Sequence, residues 1–115
     1  MSEVEDIIKY ARSYEDKIKY IVVSMGTKGV VGISKEGNYH VIPPKINVRS
    51  SIGAGDSLVA GIIFALSENI SFDGALALGV ACGTASALNP GSDLCKMNDI
   101  NTIKKEVLIK KIEKN

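Results

Sequence analysis

The chain has 115 residues, 45% of them apolar, enough for one small domain with a packed core. Fourteen basic and 13 acidic residues leave a formal net charge of +1, which gives no electrostatic footprint for a nucleic-acid or anionic-membrane partner. Cys82 and Cys95 have no second Cys/His pair beside them, which excludes a zinc-finger pattern or a disulfide scaffold and reads as reduced thiols.

The segment Met1 to Asp6 is acidic and lacks the basic-then-apolar order of a signal peptide, so a cytoplasmic chain is expected. Ser2 can cap a first helix with Glu5 three residues on. Val4, Ile7, Ile8 and Ala11 recur there at helical spacing, and the helix should end near Ser13 or Tyr14. Tyr20-Ile21-Val22-Val23-Ser24 is a short β-branched run without alternation, the pattern of a strand covered on both faces. It predicts a central strand of a parallel sheet.

Ser24-Met25-Gly26-Thr27-Lys28-Gly29 breaks that strand, and Val30–Ser34 with Tyr39–Ile42 predicts an antiparallel hairpin at a sheet margin. Lys35-Glu36-Gly37-Asn38 would be its turn and Pro43-Pro44 its end, because proline cannot donate to a ladder. His40 has no cysteine or carboxylate beside it in sequence and reads as an ordinary strand residue. An extended segment from Lys45 leads to Ser51-Ile52-Gly53-Ala54-Gly55-Asp56-Ser57.

That stretch precedes the uncharged run Leu58–Leu66, which reads as a buried helix starting near Gly55. Two glycines let a backbone come close to a ligand, and a helix N-terminus offers unpaired N–H groups to an anion such as a phosphate. Asp56 is then either an N-cap or a base for an attacking hydroxyl.

Glu68-Asn69 breaks the helix, Ser71 can cap a second one with Asp73 in its first turn, and Pro90 ends that one near Leu88. Ala75, Gly79, Cys82, Gly83 and Ser86 put small side chains along one face, which permits close approach of a neighbouring helix. Residues Gly74 to Ser92 carry no charge, yet their glycines, proline and polar residues read as a buried soluble helix and not a bilayer span. A last helix is expected from Asp99 to about Val107 with Asn98 as cap, and Leu108–Ile112 extends it or forms an edge strand.

Ser50 to Ile63 resembles, position by position, the second signature of the PfkB or ribokinase-like carbohydrate kinases. Ser24 to Gly29 resembles the glycine turn beside the nucleotide phosphates in that family, and Ala87-Leu88-Asn89-Pro90-Gly91-Ser92 its adenosine-side loop. The three segments fall in family order and are spread over residues 24–92. Neither a dinucleotide fingerprint nor a Walker loop is present, since Lys28 is followed by Gly29.

The resemblance implies an α/β three-layer sandwich, the C-terminal portion of a ribokinase-like fold. It implies phosphoryl transfer from ATP with Mg2+, with Asp56 as base and the N–H groups of Gly53, Ala54 and Gly55 as anion hole. Ser24, Gly26, Gly29, Asn89, Gly91 and Ser92 would bind the nucleotide; no metal ligand is assigned. Within the family the form is most similar to 1-phosphofructokinase and tagatose-6-phosphate kinase, so the acceptor would be fructose 1-phosphate or tagatose 6-phosphate. Family members are much longer, and this stretch is expected to be inactive without the part that holds the sugar. A homodimer through uncovered sheet edges is one expectation for such a piece. A non-catalytic nucleotide-binding or interaction module that kept the fold is the alternative.

Overall fold

The computed structural model describes residues 3–14, 17–44, 54–88 and 97–112. The apolar stripe of helix α1 (Glu3–Ala11) finds its cover on a sheet: Ile8 and Ala11 are buried against Val31 and Ile33, with Val4 and Ile7 beside them. A short 3-10 turn, Arg12–Tyr14, ends α1 where the sequence expects.

The sheet is β1 (Tyr20–Ser24), β2 (Val30–Ser34), β3 (Gly37–Ile42) and β4 (Leu108–Ile112), hydrogen-bonded in the order β1-β2-β3-β4 and antiparallel throughout. Alternate residues divide between its faces. Val31 and Ile33 face α1, whereas Tyr20, Val22, Val30, Tyr39 and Val41 face the opposite layer and pack with Phe72, Leu76 and Val80.

That opposite layer contains α2 (Ala54–Ser67) and α3 (Phe72–Leu88), with α4 (Met97–Lys104) laid on α3 through Ile100 and Ile103 against Ala81 and Ala85. The result is three layers, α1, sheet, and α2–α4, as the sequence predicts. The stripe of small residues on α3 has its use here. A Cβ added to Gly61 would come 2.9 Å from Gly79 Cα, and one added to Gly79 would come 2.8 Å from Leu58 O, so the helices meet backbone to backbone. Asn69, at φ 62, breaks the chain between them.

Several expectations need correcting. Among the described residues β1 lies at an edge of an antiparallel sheet and not at the centre of a parallel one. Its lack of alternation reports two apolar faces that are covered only in part: Tyr20 and Val22 pack toward α3 and Ile21 toward α1, yet Tyr20 to Val23 stay half-buried. The hairpin lies inside the sheet, and its turn has only Lys35 and Glu36, because Gly37 already pairs with Ser34.

Helix α2 is only partly buried. Ile62 and Ala65 are covered, but Val59, Ile63 and Phe64 are 53%, 62% and 56% exposed. Helix α4 begins at Met97, which puts Asn98 inside it and not at its cap. The C-terminal apolar run takes the strand option as β4, at the far sheet edge from β1. Among the described residues no helix is long and apolar enough to cross a membrane. Ser2, Lys45–Gly53, Asn89–Lys96 and the last three residues lie outside the described residues.

The helix crossing yields a direct test. Gly79→Ala inserts a methyl between backbones and should lower stability by about 1–3 kcal/mol, as overpacking does. Chemical denaturation followed by circular dichroism checks this; an unchanged midpoint would show that the helices do not touch at Gly61 and Gly79.

Candidate functional site

The chain leaves β1 at Ser24 and turns over five residues before β2. Met25 N–H donates to Gly29 O at 2.7 Å, Lys28 N–H to Met25 O at 3.2 Å and Gly29 N–H to Gly26 O at 3.1 Å, which fixes Gly26–Lys28 as one 3-10 turn. Gly26 at φ 60 and Gly29 at φ 92 take left-handed backbone that other residues adopt only with strain. At Gly29 a side chain is also excluded by space, because its Cβ would overlap Val41 O on β3.

Helix α2 starts across from this turn. Ser24, Gly26, Gly29, Pro43, Gly55 and Thr84 line a groove of ≈ 270 Å³, with Leu58, Val80 and Gly83 among its walls. A second groove of ≈ 480 Å³ continues from it along β1 and α2, lined by Tyr20, Val22, Ser24, Gly55, Asp56 and Leu58 with the apolar face of α2. The two share Ser24, Gly55 and Leu58, so the end of β1 and the start of α2 form their common boundary. A Cβ built on Gly26 or on Gly55 would meet no atom of the described residues within 4 Å. At both positions the bare backbone faces open space.

Asp56 is the third residue of α2 and is exposed. That places it inside the first turn, past the position of an N-cap, where the helix dipole favours a carboxylate by roughly 0.3–1 kcal/mol. Among the described residues lining the two grooves it is the one charged side chain. No cluster of three or more His, Cys, Asp or Glu suited to a metal occurs among the described residues.

Of the residues singled out in the sequence, Ser24, Gly26, Gly29, Gly55 and Asp56 therefore come together, from segments some thirty positions apart. Ala54 opens α2. Gly53, Asn89, Gly91 and Ser92 lie outside the described residues. Cys82 is half-buried in the α2–α3 contact, its Sγ 3.0 Å from a Cβ built on Gly61, in keeping with core filling.

Thr84 and Gly83, on α3, line the groove and were not foreseen. Thr84 interrupts an apolar helix, and that is its only signal. His40 is a strand residue, as the sequence predicts, and in addition its Nε2 lies 2.9 Å from Lys28 O in the glycine turn. Nothing in its sequence neighbourhood announces a bond spanning twelve positions.

Comparison with known proteins matches the sequence and fold of this chain to a family. The model of the pfkB family carbohydrate kinases matches residues 1–99. The ATP-dependent 6-phosphofructokinase isozyme 2 of Escherichia coli is 36% identical over 105 residues, 90% of this chain and 34% of that protein. A 1-phosphofructokinase of Borreliella burgdorferi is 33% identical over 110 residues, 94% of this chain and 35% of that one. The crystal structure of Escherichia coli phosphofructokinase-2 in complex with substrates and products superimposes with a TM-score of 0.84 at 36% identity, over 91% of this chain and 34% of that chain. The chain thus spans about a third of the length of the curated relatives it matches. With the signature around Asp56 and the glycine turn facing it, the chain belongs to the pfkB family of carbohydrate kinases.

Proposed function

We propose that the chain is the C-terminal, nucleotide-binding and catalytic-base portion of a kinase that transfers a phosphoryl group from ATP to a hydroxyl of a sugar phosphate. The observation that carries this is the shared boundary of the two grooves at Ser24 and Gly55, with Asp56 beside it. Phosphoryl transfer needs a donor and an acceptor in line, held by groups that stabilise charge, and two adjoining grooves with one carboxylate in the second, next to their shared Gly55, fit that demand.

The glycine-lined groove fits a nucleotide's phosphates. Gly26 and Gly55 leave open space where other residues would carry a side chain, so main-chain amides can approach phosphate oxygens directly. The amides of Gly53, Ala54 and Gly55 would hold the moving phosphoryl group, while Ser24, Gly26 and Gly29 hold the phosphates on the other side and Asn89, Gly91 and Ser92 the adenosine. Bound Mg2+ supplies charge neutralisation on those phosphates, and it keeps several waters in such sites, so a dedicated cage of carboxylates is not required. Asp56 would accept the proton of the attacking hydroxyl. Its exposure leaves it accessible to an acceptor entering along the β1–α2 groove.

The rest of the acceptor site would come from the part of the relatives' length that this chain does not match. Two uncovered surfaces support that division. Along one sheet face, Ile7, Tyr10, Ile18, Ile21 and Val23 line an apolar hollow of ≈ 850 Å³; on the other, α2 exposes Val59, Ile63 and Phe64. Both flank β1, which pairs only with β2 among the described residues. A sheet that continued past β1 would cover both at once. Alone, the chain should not turn over.

Three outcomes are expected. In a full-length kinase carrying this segment, Asp56→Asn should reduce kcat by about 10²–10⁴-fold with little change in the KM for ATP, the usual weight of a general base. Steady-state assays with fructose 1-phosphate, fructose 6-phosphate and tagatose 6-phosphate measure this; near-wild-type turnover on the preferred acceptor would remove the base, and ATP binding without turnover by the wild type would favour a non-catalytic module. Calorimetric titration of the isolated chain with MgATP should give measurable binding, and its absence would count against the nucleotide groove. Sedimentation of the isolated chain should give a homodimer joined at the uncovered β1 edge, and a monomer at high concentration would rule that contact out.

A further inference from the structure

The glycine turn is gripped from beneath by β3, and the grip has a side-chain component. His40 stands on β3 opposite Val31, and its Nε2 reaches Lys28 O at 2.9 Å. A carbonyl oxygen only accepts, so Nε2 carries the hydrogen and the ring donates. One residue on, the backbone of Gly29 lies so close to Val41 and Ile42 that no side chain fits between them. Two successive residues of the turn are thus fastened to successive residues of one strand. The opposite side of the turn, at Gly26 and Gly29, lines the groove.

A second tie exists and is weaker. Lys28 Nζ lies 3.0 Å from Glu3 Oε2 on α1, but the two side chains are 69% and 57% exposed, where water and salt screen an ion pair almost completely. The half-buried imidazole adds a side-chain tie to the Lys28–Gly29 peptide, whose own N–H already donates to Gly26 O.

We infer that His40 is a positioning residue for nucleotide binding: its ring N–H holds the Lys28 carbonyl and so fixes the 26–29 turn, whose Lys28 and Gly29 amides bond within the turn, in the orientation that presents its leading edge at Gly26 to the phosphates of a nucleoside triphosphate. This rests on the nucleotide reading proposed above. It sets a requirement for a donor of suitable reach at position 40. Glutamine meets that requirement through its amide N–H; phenylalanine keeps the bulk and cannot donate.

The test uses the full chain as wild type, His40→Phe and His40→Gln, titrated calorimetrically with MgATP and compared by the exchange rates of the Gly26–Gly29 amides in NMR spectra. His40→Phe should weaken ATP binding by about three- to tenfold, the span that one net hydrogen bond corresponds to, and speed exchange in the turn while the α3 amides stay protected. His40→Gln should restore both. Equal affinity and exchange in His40→Phe, or no restoration by His40→Gln, would overturn the inference. A wild-type chain that binds no MgATP would instead sink the nucleotide reading and the inference's functional half with it. In that case faster turn exchange in His40→Phe alone upholds the tie between β3 and the turn, and unchanged exchange refutes it.

Discussion

Helices α2 and α3 touch through bare backbone at Gly61 and Gly79, and the position of everything functional follows from that contact. Helix α3 is fixed to the sheet by Phe72, Leu76 and Val80, which share a core with Val30 and Val41. The crossing in turn fixes α2, whose Leu58 and Ile62 join the same core. Gly55 lies six residues, roughly 9 Å of helix rise, before Gly61, and this brings the first turn of α2 to the end of β1. A bulkier residue at the crossing would push the helix away and open the groove. Packing of small residues and placement of Asp56 are one constraint seen at two points along the same helix.

The other wall of the site is held by different means. Its backbone takes left-handed geometry at Gly26 and Gly29, which glycine adopts without strain, and its place is fixed by what lies around it. Here those surroundings are β3: Val41 against Gly29 and His40 beneath Lys28. Since β3 sits between β2 and β4, the turn is braced by an interior strand although it projects from an edge one. A rigid scaffold carrying bare amides suits a reaction that depends chiefly on positioning.

Much of this was legible in the residues. The 3.6-residue period of Val4, Ile7, Ile8 and Ala11 gave α1 and its buried face, and the breakers at Asn69 and Pro90 bracketed α3. The signature around Asp56 marked the start of α2, and Ser24, Gly26 and Gly29 marked the facing turn. What failed has physical reasons. An unalternating strand such as β1 tells that both faces are apolar, not how far each is covered or which strands lie beside it. The five residues from Met25 to Gly29 were the missed clue, since a parallel crossover needs a dozen or more while a short connection returns antiparallel. An uncharged run predicts a buried helix, yet absence of charge says nothing about whether a partner surface lies opposite Val59, Ile63 and Phe64. His40 and Thr84 act through contacts made only after folding, which no local pattern records.

The central claim is that the first turn of α2 and the glycine turn after β1 hold the phosphates of one nucleotide between them, with Asp56 on the acceptor side. The most direct measurement is a crystal structure of the chain with a non-hydrolysable MgATP analogue. The account predicts phosphate oxygens within hydrogen-bonding distance of main-chain amides at Gly55 and in the Gly26–Gly29 turn, and the Asp56 carboxylate facing the terminal phosphate from the β1–α2 groove. A nucleotide seated elsewhere, with both sets of amides pointing away from its phosphates, would contradict it.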